Sequence, residues 1–514
     1  MLDSRPSERR TPNVAIIGAG LGGIAAAVNL KRAGISSFTI FEQSAGFGGT
    51  WWDNTYPGAE CDIPIAFYAY SFKTYDFPRT HATQAEIQAY IQAVIEEYEI
   101  GPHLRFNTRV VEAVWDDQRH HYTLATATNQ SMLFDVVVSA VGLLNVPRYP
   151  DWPGLESFHG PKFHTARWEH QHDLTNKRVA VVGIGSSAAQ VVPAIAKTAG
   201  QVTMFAREPA YVVPKNDRVL TPAERARLGG RWGRHIERAR MFWQIERGMS
   251  VRNPQSQQQR DARAGFLRYR DQVFKDRSDL SDAMTPDYPF ACKRPVMSSD
   301  LFPSLTRDNV KVVARSVESV TPQGVVDDKG VEHKVDVLVM ATGFQPWNFL
   351  HTLKLIGRGG RSIHGVWGDE PEAFLGMQMP GFPNFFMMYG PNTNYFCVTF
   401  MLERQAEYIT RAVKRMIRTR STAIDVRRSV MDLYNRWVDR ALSRKTLEGN
   451  CHNYYHSGSG KNVVTWPWRG TVFVLATKFA QLAWVTRRAE QEYKRAHLER
   501  GRTASAVQLE TPGA

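Results

Sequence analysis

Cysteine is scarce in this sequence of 514 residues, with four in all, at positions 61, 292, 397 and 451. No two of them stand at CxxC or CxxxxC spacing, so a disulfide framework or a structural zinc site is not expected. Long apolar runs are missing as well: none approaches the roughly 18 residues of a membrane span. The best candidate, 472 to 485, is broken by Lys478 and Gln481 and reads as a buried strand or helix. The first dozen residues lack the apolar stretch of a secretory signal, and a cytoplasmic protein is expected. Acids are outnumbered, 50 against 64 lysines and arginines, which leaves a formal charge of +14. The arginines crowd 218–277 and 487–502, and basic patches can attract phosphate backbones. Yet Glu224, Glu237 and Asp271 are interleaved in the first cluster, and Glu490 and Glu492 in the second. That is the pattern of a solvated helix with i, i+4 pairs, so no nucleic-acid partner is expected. With 43% hydrophobic and 22% charged residues the chain is globular rather than disordered, and its length calls for two or three domains.

What the chain does have is glycine at telling spacings. Residues 13–17 are a short apolar strand running into Gly18, Gly20, Leu21 and Gly23, a GxGxxG loop. A helix follows to Ala33, and a second strand, 37–41, ends at Glu42. In such a unit the glycines allow the tight turn, the approach of backbone to a pyrophosphate and the packing of helix on strand. The helix N-terminus then presents unpaired N–H groups to phosphate. Glu42 stands where an acid accepts hydrogen bonds from ribose hydroxyls, which predicts FAD or NAD at this site rather than NADP. The pattern returns at 178–182, where a strand meets Gly183, Gly185, Ser186, Ser187 and Ala188 and a helix follows. Here the second strand ends in Arg207, suited to the 2′-phosphate of NADP, with Glu208 beside it working against that charge. One such loop is a weak signal; two, each between strand and helix, are a strong one.

The sequence resembles the flavoprotein monooxygenases of the Baeyer–Villiger type over about 12–470. Phe158, Gly160, His164 and Trp168 match their signature, with Glu169 where Pro or Asp is usual. Trp168 favours the ketone-oxidising branch over the N- and S-oxygenating one. The segments Gly48-Gly49-Thr50-Trp51 and 56–62, ending in Asp62, are similar to the family's flavin-facing loop. Lys293-Arg294 is similar to its Lys-Arg dipeptide, and 341–343 to its Ala-Thr-Gly motif. The resemblance implies an α/β fold with two Rossmann-like dinucleotide-binding domains, for FAD and NADP, and a helical insertion in the NADP domain. The expected boundaries are 12–146 and 339–485 for the FAD domain, 147–214 and 291–338 for the NADP domain, 215–290 for the insertion and 486–514 for a basic tail.

It also implies the chemistry: an NADPH- and O₂-dependent enzyme that inserts oxygen beside a ketone carbonyl through a flavin peroxide. Arg294 would stabilise the oxyanion, Asp62 would orient the guanidinium, and Lys293 would meet the 2′-phosphate. Gly49, Thr50, Trp51, Tyr68, Val110 and Asn392 would lie along the cofactor, and Tyr454 stands where relatives stack a Trp on the NADP ribose. The alternative of N- or S-oxygenation stays open. A disulfide reductase, the other bearer of two dinucleotide folds, is excluded because the loop after the first unit holds only Cys61.

Overall fold

The computed structural model describes residues 11–394, 397–448 and 453–489. Two five-stranded parallel sheets organise them. The first has Val14–Ile17 at its centre, flanked by Phe38–Phe41 and Val136–Ser139, with Leu104–Arg105 and Phe385–Met387 at the edges. Every residue of Val14–Ile17 is buried, which explains why this strand reads as an unbroken apolar run rather than an alternating one. The second sheet centres on Arg178–Val182 between Gln201–Phe205 and Val337–Met340, with Val310–Val313 and Lys162–His164 outermost. All of its strands fall in the chain between Ser139 and Phe385, so the second fold is inserted into the first. The α/β fold with two dinucleotide-binding units is therefore as expected.

Between the parallel pair Val212–Val213 and Val296–Met297 the described chain is helical: Pro222–Gly229, Arg231–Gly248, Gln257–Val273 and Ser278–Ala283. The expectation of a solvated charged face fails on the second of these. Helix Arg231–Gly248 buries Arg234, Glu237, Arg238 and Glu246, and exposes Trp232, Ile236 and Trp243. The cause is local. The short helix Ile65–Tyr68 ends with orphan carbonyls, and Arg238 Nη1 donates to Phe67 O (3.0 Å) and to Ala69 O, while Arg234 Nη2 donates to Ser71 O (3.0 Å). Glu246 accepts from Thr471 N (3.2 Å) and Thr471 Oγ1 (3.0 Å). Arg234, Arg238 and Glu246 are buried because backbone groups need them, whereas Glu237 pairs with Arg240.

The segment at 472–485 also departs from its expected buried state. It forms helix Gly470–Phe479, a 3₁₀ turn Ala480–Ala483 and strand Trp484–Arg487, and it leaves Val472, Leu475, Phe479 and Leu482 exposed. A continuous apolar run cannot tell which face of a helix turns inward. Cys61 and Cys397 are free and buried, whereas Cys292 is disulfide-bonded, a link that spacing did not predict. Of the basic tail expected over 486–514, Thr486 and Arg487 close the strand that pairs with Ala423–Val426, and the residues from 490 onward lie outside the described ones.

Candidate active site

Both glycine loops have the same construction. Gly18 sits at φ +106°, and a Cβ there would fall 2.6 Å from Ala140 O. Gly183 sits at φ +128°, where a Cβ would fall 2.3 Å from Ala341 O. In each fold the loop lies against the carbonyl that follows the neighbouring strand, and only glycine fits. The helices that follow, Leu21–Arg32 and Ser186–Ile195, are capped by Gly20 and Gly185, with no side-chain cap bond and no acid in the first turn. Helices Gln84–Glu97 and Pro222–Gly229, by contrast, carry capping boxes at Thr83–Glu86 and Thr221–Glu224. The two glycine-capped starts thus keep backbone N–H groups and positive dipole ends for an anion.

Glu42 ends the second strand of the first fold, buried beside its loop. Its carboxylate accepts from Ala19 N (2.7 Å) and Ser44 N (2.9 Å), so the acid braces the glycine turn that it adjoins. Gly48 N donates to Ala19 O (2.9 Å), which lays the Gly48–Gly49 turn and the short helix Thr50–Asp53 across the same loop. Trp51 Nε1 donates to the Tyr68 hydroxyl (2.9 Å), with the rings edge to face at 6.0 Å. Thr108 N donates to Glu42 O (2.8 Å), which brings buried Val110 near this edge. Asn392, buried and at φ +55°, donates from its amide to Asn462 O (2.9 Å) and Thr465 O (3.2 Å). Those bonds hold 390–394 against 462–465.

In the second fold Arg207 is exposed at the strand end and forms no ion pair among the described residues. Lys293 reaches the same edge but is paired with Glu208, and its ammonium lies 4.8 Å from the Tyr288 ring centroid. The two folds meet at Asp62 and Arg294, where Nη2 lies 2.7 Å from Oδ2. Asp62 is mostly buried while Arg294 is almost half exposed. The Asp62 carboxylate holds the guanidinium above the ordinary arginine pKa against partial burial, and Tyr454, Tyr455 and Tyr389 are the other groups that face it. Burial pushes the Tyr389 and Tyr455 phenols up, so both stay protonated at neutral pH. Tyr389 donates to Asn394 Oδ1 (3.0 Å).

Several members of this site were not foreseen. Lys215, buried, pairs with Glu60 two residues from Asp62, and Tyr56 donates to Gln190 Oε1 (2.9 Å) across the folds. Burial raises the Tyr56 phenol to about 12. Glu60 lies inside a motif that the sequence displays, but its partner is far along the chain and no spacing points to it.

The signature segment is packed into the junction between the two folds. Phe158 is buried, and a Cβ on Gly160 would stand 2.1 Å from Asp336 O. His164 is fully buried beneath the two connectors between the folds. Its Nδ1 accepts from Ala166 N (3.0 Å), and its ring meets Tyr149 and Phe344 at 5.6 and 5.7 Å. The connectors are tied to each other by Arg148 N to Gly343 O (2.8 Å) and Thr342 Oγ1 to Arg148 O (2.6 Å). Trp168 packs edge-on against Phe163 at 4.9 Å, and Glu169 pairs with His172 at 2.9 Å.

Residues 11–224 match the flavin-binding monooxygenase-like family model. A Baeyer–Villiger monooxygenase of Streptomyces coelicolor is 36% identical over 91% of both chains. Another, from Pseudomonas aeruginosa, is 34% identical over 90% of both. The chain belongs to the Baeyer–Villiger monooxygenase family. Among solved structures, an oxidised steroid monooxygenase bound to NADP superposes with a TM-score of 0.84 at 26% identity, over 93% of this chain and 100% of that one. A closed cyclohexanone monooxygenase gives 0.84 at 26%, over 93% and 99%. The family match agrees with the resemblance carried by Trp168, Asp62 and Lys293-Arg294.

Proposed function

We propose that this member of the family holds FAD on the first glycine loop and NADPH on the second, and with O₂ converts a small-molecule ketone to an ester or lactone. The Arg294–Asp62 ion pair, formed between residues of the two folds, carries the reading. The fit to the cofactors rests on the two glycine-capped helix starts left without side-chain caps. Reduced flavin with O₂ supplies a nucleophilic oxygen that can add to a carbonyl.

The work of the protein is then electrostatic. Negative charge on oxygen in a water-poor cleft is costly without a fixed cation, and Arg294 supplies one with several donors in a plane. Asp62 fixes the direction of that plane and balances the charge at other stages of the cycle. Tyr389 and Tyr455, kept protonated by burial, can donate hydrogen bonds but cannot remove protons. Arg207 would receive the 2′-phosphate directly, whereas Lys293 would have to exchange Glu208 for it. Incubation with NADPH, O₂ and a panel of aliphatic, cyclic and aryl ketones tests the reading. Ester or lactone with one atom of ¹⁸O from ¹⁸O₂ is the expected product. Exclusive N- or S-oxide formation from amines and sulfides would overturn it.

A further inference from the structure

Two helices of this chain turn apolar side chains outward, and the exposed acid-to-base balance around them is one-sided. On helix Arg231–Gly248, Trp232 is 78% exposed, Ile236 65% and Trp243 53%. At 3.6 residues per turn these three fall within about 40° of one another, so they form a single stripe. Both acids of the helix, Glu237 and Glu246, are buried, while Arg247 stays exposed about 20° from Ile236. The second helix, Gly470–Phe479, starts where Glu246 binds Thr471. By the same geometry Glu246 lies about 40° from Trp232, on the flank of the stripe. The second helix therefore leaves from the edge of the first one's apolar face. It exposes Val472, Leu475 and Phe479 at helical spacing, and Leu482 in the following turn is 75% exposed. Residues 470–489 contain no acid at all, and Lys478 and Arg488 are exposed among them.

Scattered apolar side chains on a surface need no explanation, but two stripes of tryptophan, isoleucine, leucine and phenylalanine on helices that touch at Glu246 and Thr471 do. Aromatic and aliphatic groups beside arginine and lysine, with no exposed acid on either helix, are the composition of a helix that lies in a membrane interface. We propose that the protein docks peripherally on an anionic lipid surface through these two helices. The apolar side chains would enter the headgroup region and the cations would meet lipid phosphates. Charge complementarity selects this occupant: neither helix carries an exposed acid, and the chain has a formal charge of +14. Docking of this kind needs no spanning helix, and no described helix is long and apolar enough to be one.

Co-sedimentation of the flavin-loaded protein with vesicles tests this, using phosphatidylcholine alone and phosphatidylcholine with 30% phosphatidylglycerol. The expected result is binding to the anionic vesicles that weakens at least about five-fold in 0.5 M salt, as exposed charges are screened. The double variants Trp232→Ser/Trp243→Ser and Leu475→Ser/Phe479→Ser should each weaken it about ten-fold or more, with flavin content and circular dichroism unchanged. Trp232 and Trp243 should also supply a blue shift of fluorescence on binding that the first variant loses. No pelleting with anionic vesicles overturns the proposal, as does binding that both variants keep in full. A doubled mass in sedimentation equilibrium that the same variants abolish also overturns it, by assigning the face to a second copy of the chain.

Discussion

Arg294 is the residue on which most depends. Replacing it with Ala should leave a folded yellow protein whose flavin is still reduced by NADPH, because hydride transfer places no oxyanion in the cleft. Loss of one preorganised donor at a developing oxyanion typically costs about 10²–10³ in rate, and ketone turnover should fall at least that far. Arg294→Lys should recover little, since an ammonium on a flexible stem cannot span Asp62 and the reacting oxygen in one plane. Stopped-flow reduction and product chromatography separate the two half-reactions; ester formation near the wild-type rate would remove Arg294 from the chemistry. The second dinucleotide site gives a paired prediction. Arg207→Ala should raise KM for NADPH about ten-fold with little effect on NADH, the value of one charge-assisted contact. Glu208→Gln should do the reverse by releasing Lys293 from its ion pair. Equal changes for both coenzymes would dismiss the phosphate role. At this scale the sequence displays Arg294, Asp62 and Lys293 because they sit in compact motifs. It hides Tyr389, Tyr455 and Lys215, whose place in the site depends on partners far along the chain.

Among elements, the glycine-capped helices carry the cofactor argument. Gly18→Ala places a methyl group against Ala140 O and forces a left-handed φ on an L-residue, so flavin occupancy of the purified protein should drop sharply. Full occupancy would dissociate the first loop from flavin. The opposite case is Thr221, whose hydroxyl caps its own helix in a box with Glu224. Thr221→Ala should lower stability by about 1 kcal/mol, read from the urea midpoint, with cofactor affinity untouched. Strands buried on both faces and glycine loops are legible in sequence, because each imposes a composition that few other structures tolerate. Helix Arg231–Gly248 is not. Its charges pair with carbonyls of a helix more than 150 residues earlier, and no local periodicity records that.

For the whole molecule, His164 under the paired connectors ties stability to pH. Burial lowers its pKa from 6.5 to about 4, so the folded protein holds it neutral while the unfolded chain protonates it below 6.5. Its contribution is complete above pH 6.5 and is lost as pH falls toward 4, by up to about 3 kcal/mol. Asp425 works the other way. Burial raises it from 3.8 to about 6, so the stability it gives is present below pH 3.8 and lost as pH climbs to 6. The two act in opposite directions over one window, so a wild-type profile alone does not isolate either. The difference between wild type and His164→Asn, whose amide oxygen can still accept from Ala166 N, should isolate the histidine. Parallel urea-midpoint curves for the two proteins between pH 4 and 6.5 would reject it.

The first sheet pairs Val136–Ser139 with Phe385–Met387, and the entire second sheet is threaded between these partners. During synthesis this delays one fold and not the other. At roughly 5–20 residues per second, the edge strand at 385 leaves the ribosome on the order of 10–50 s after its neighbour at 139. In that interval the second sheet, whose strands all end by Met340, can close, while the first waits with an edge of Val136–Ser139 unpaired. The nascent chain should therefore gain protease resistance in its middle before its beginning, and the unpaired edge is where premature release would favour aggregation over assembly.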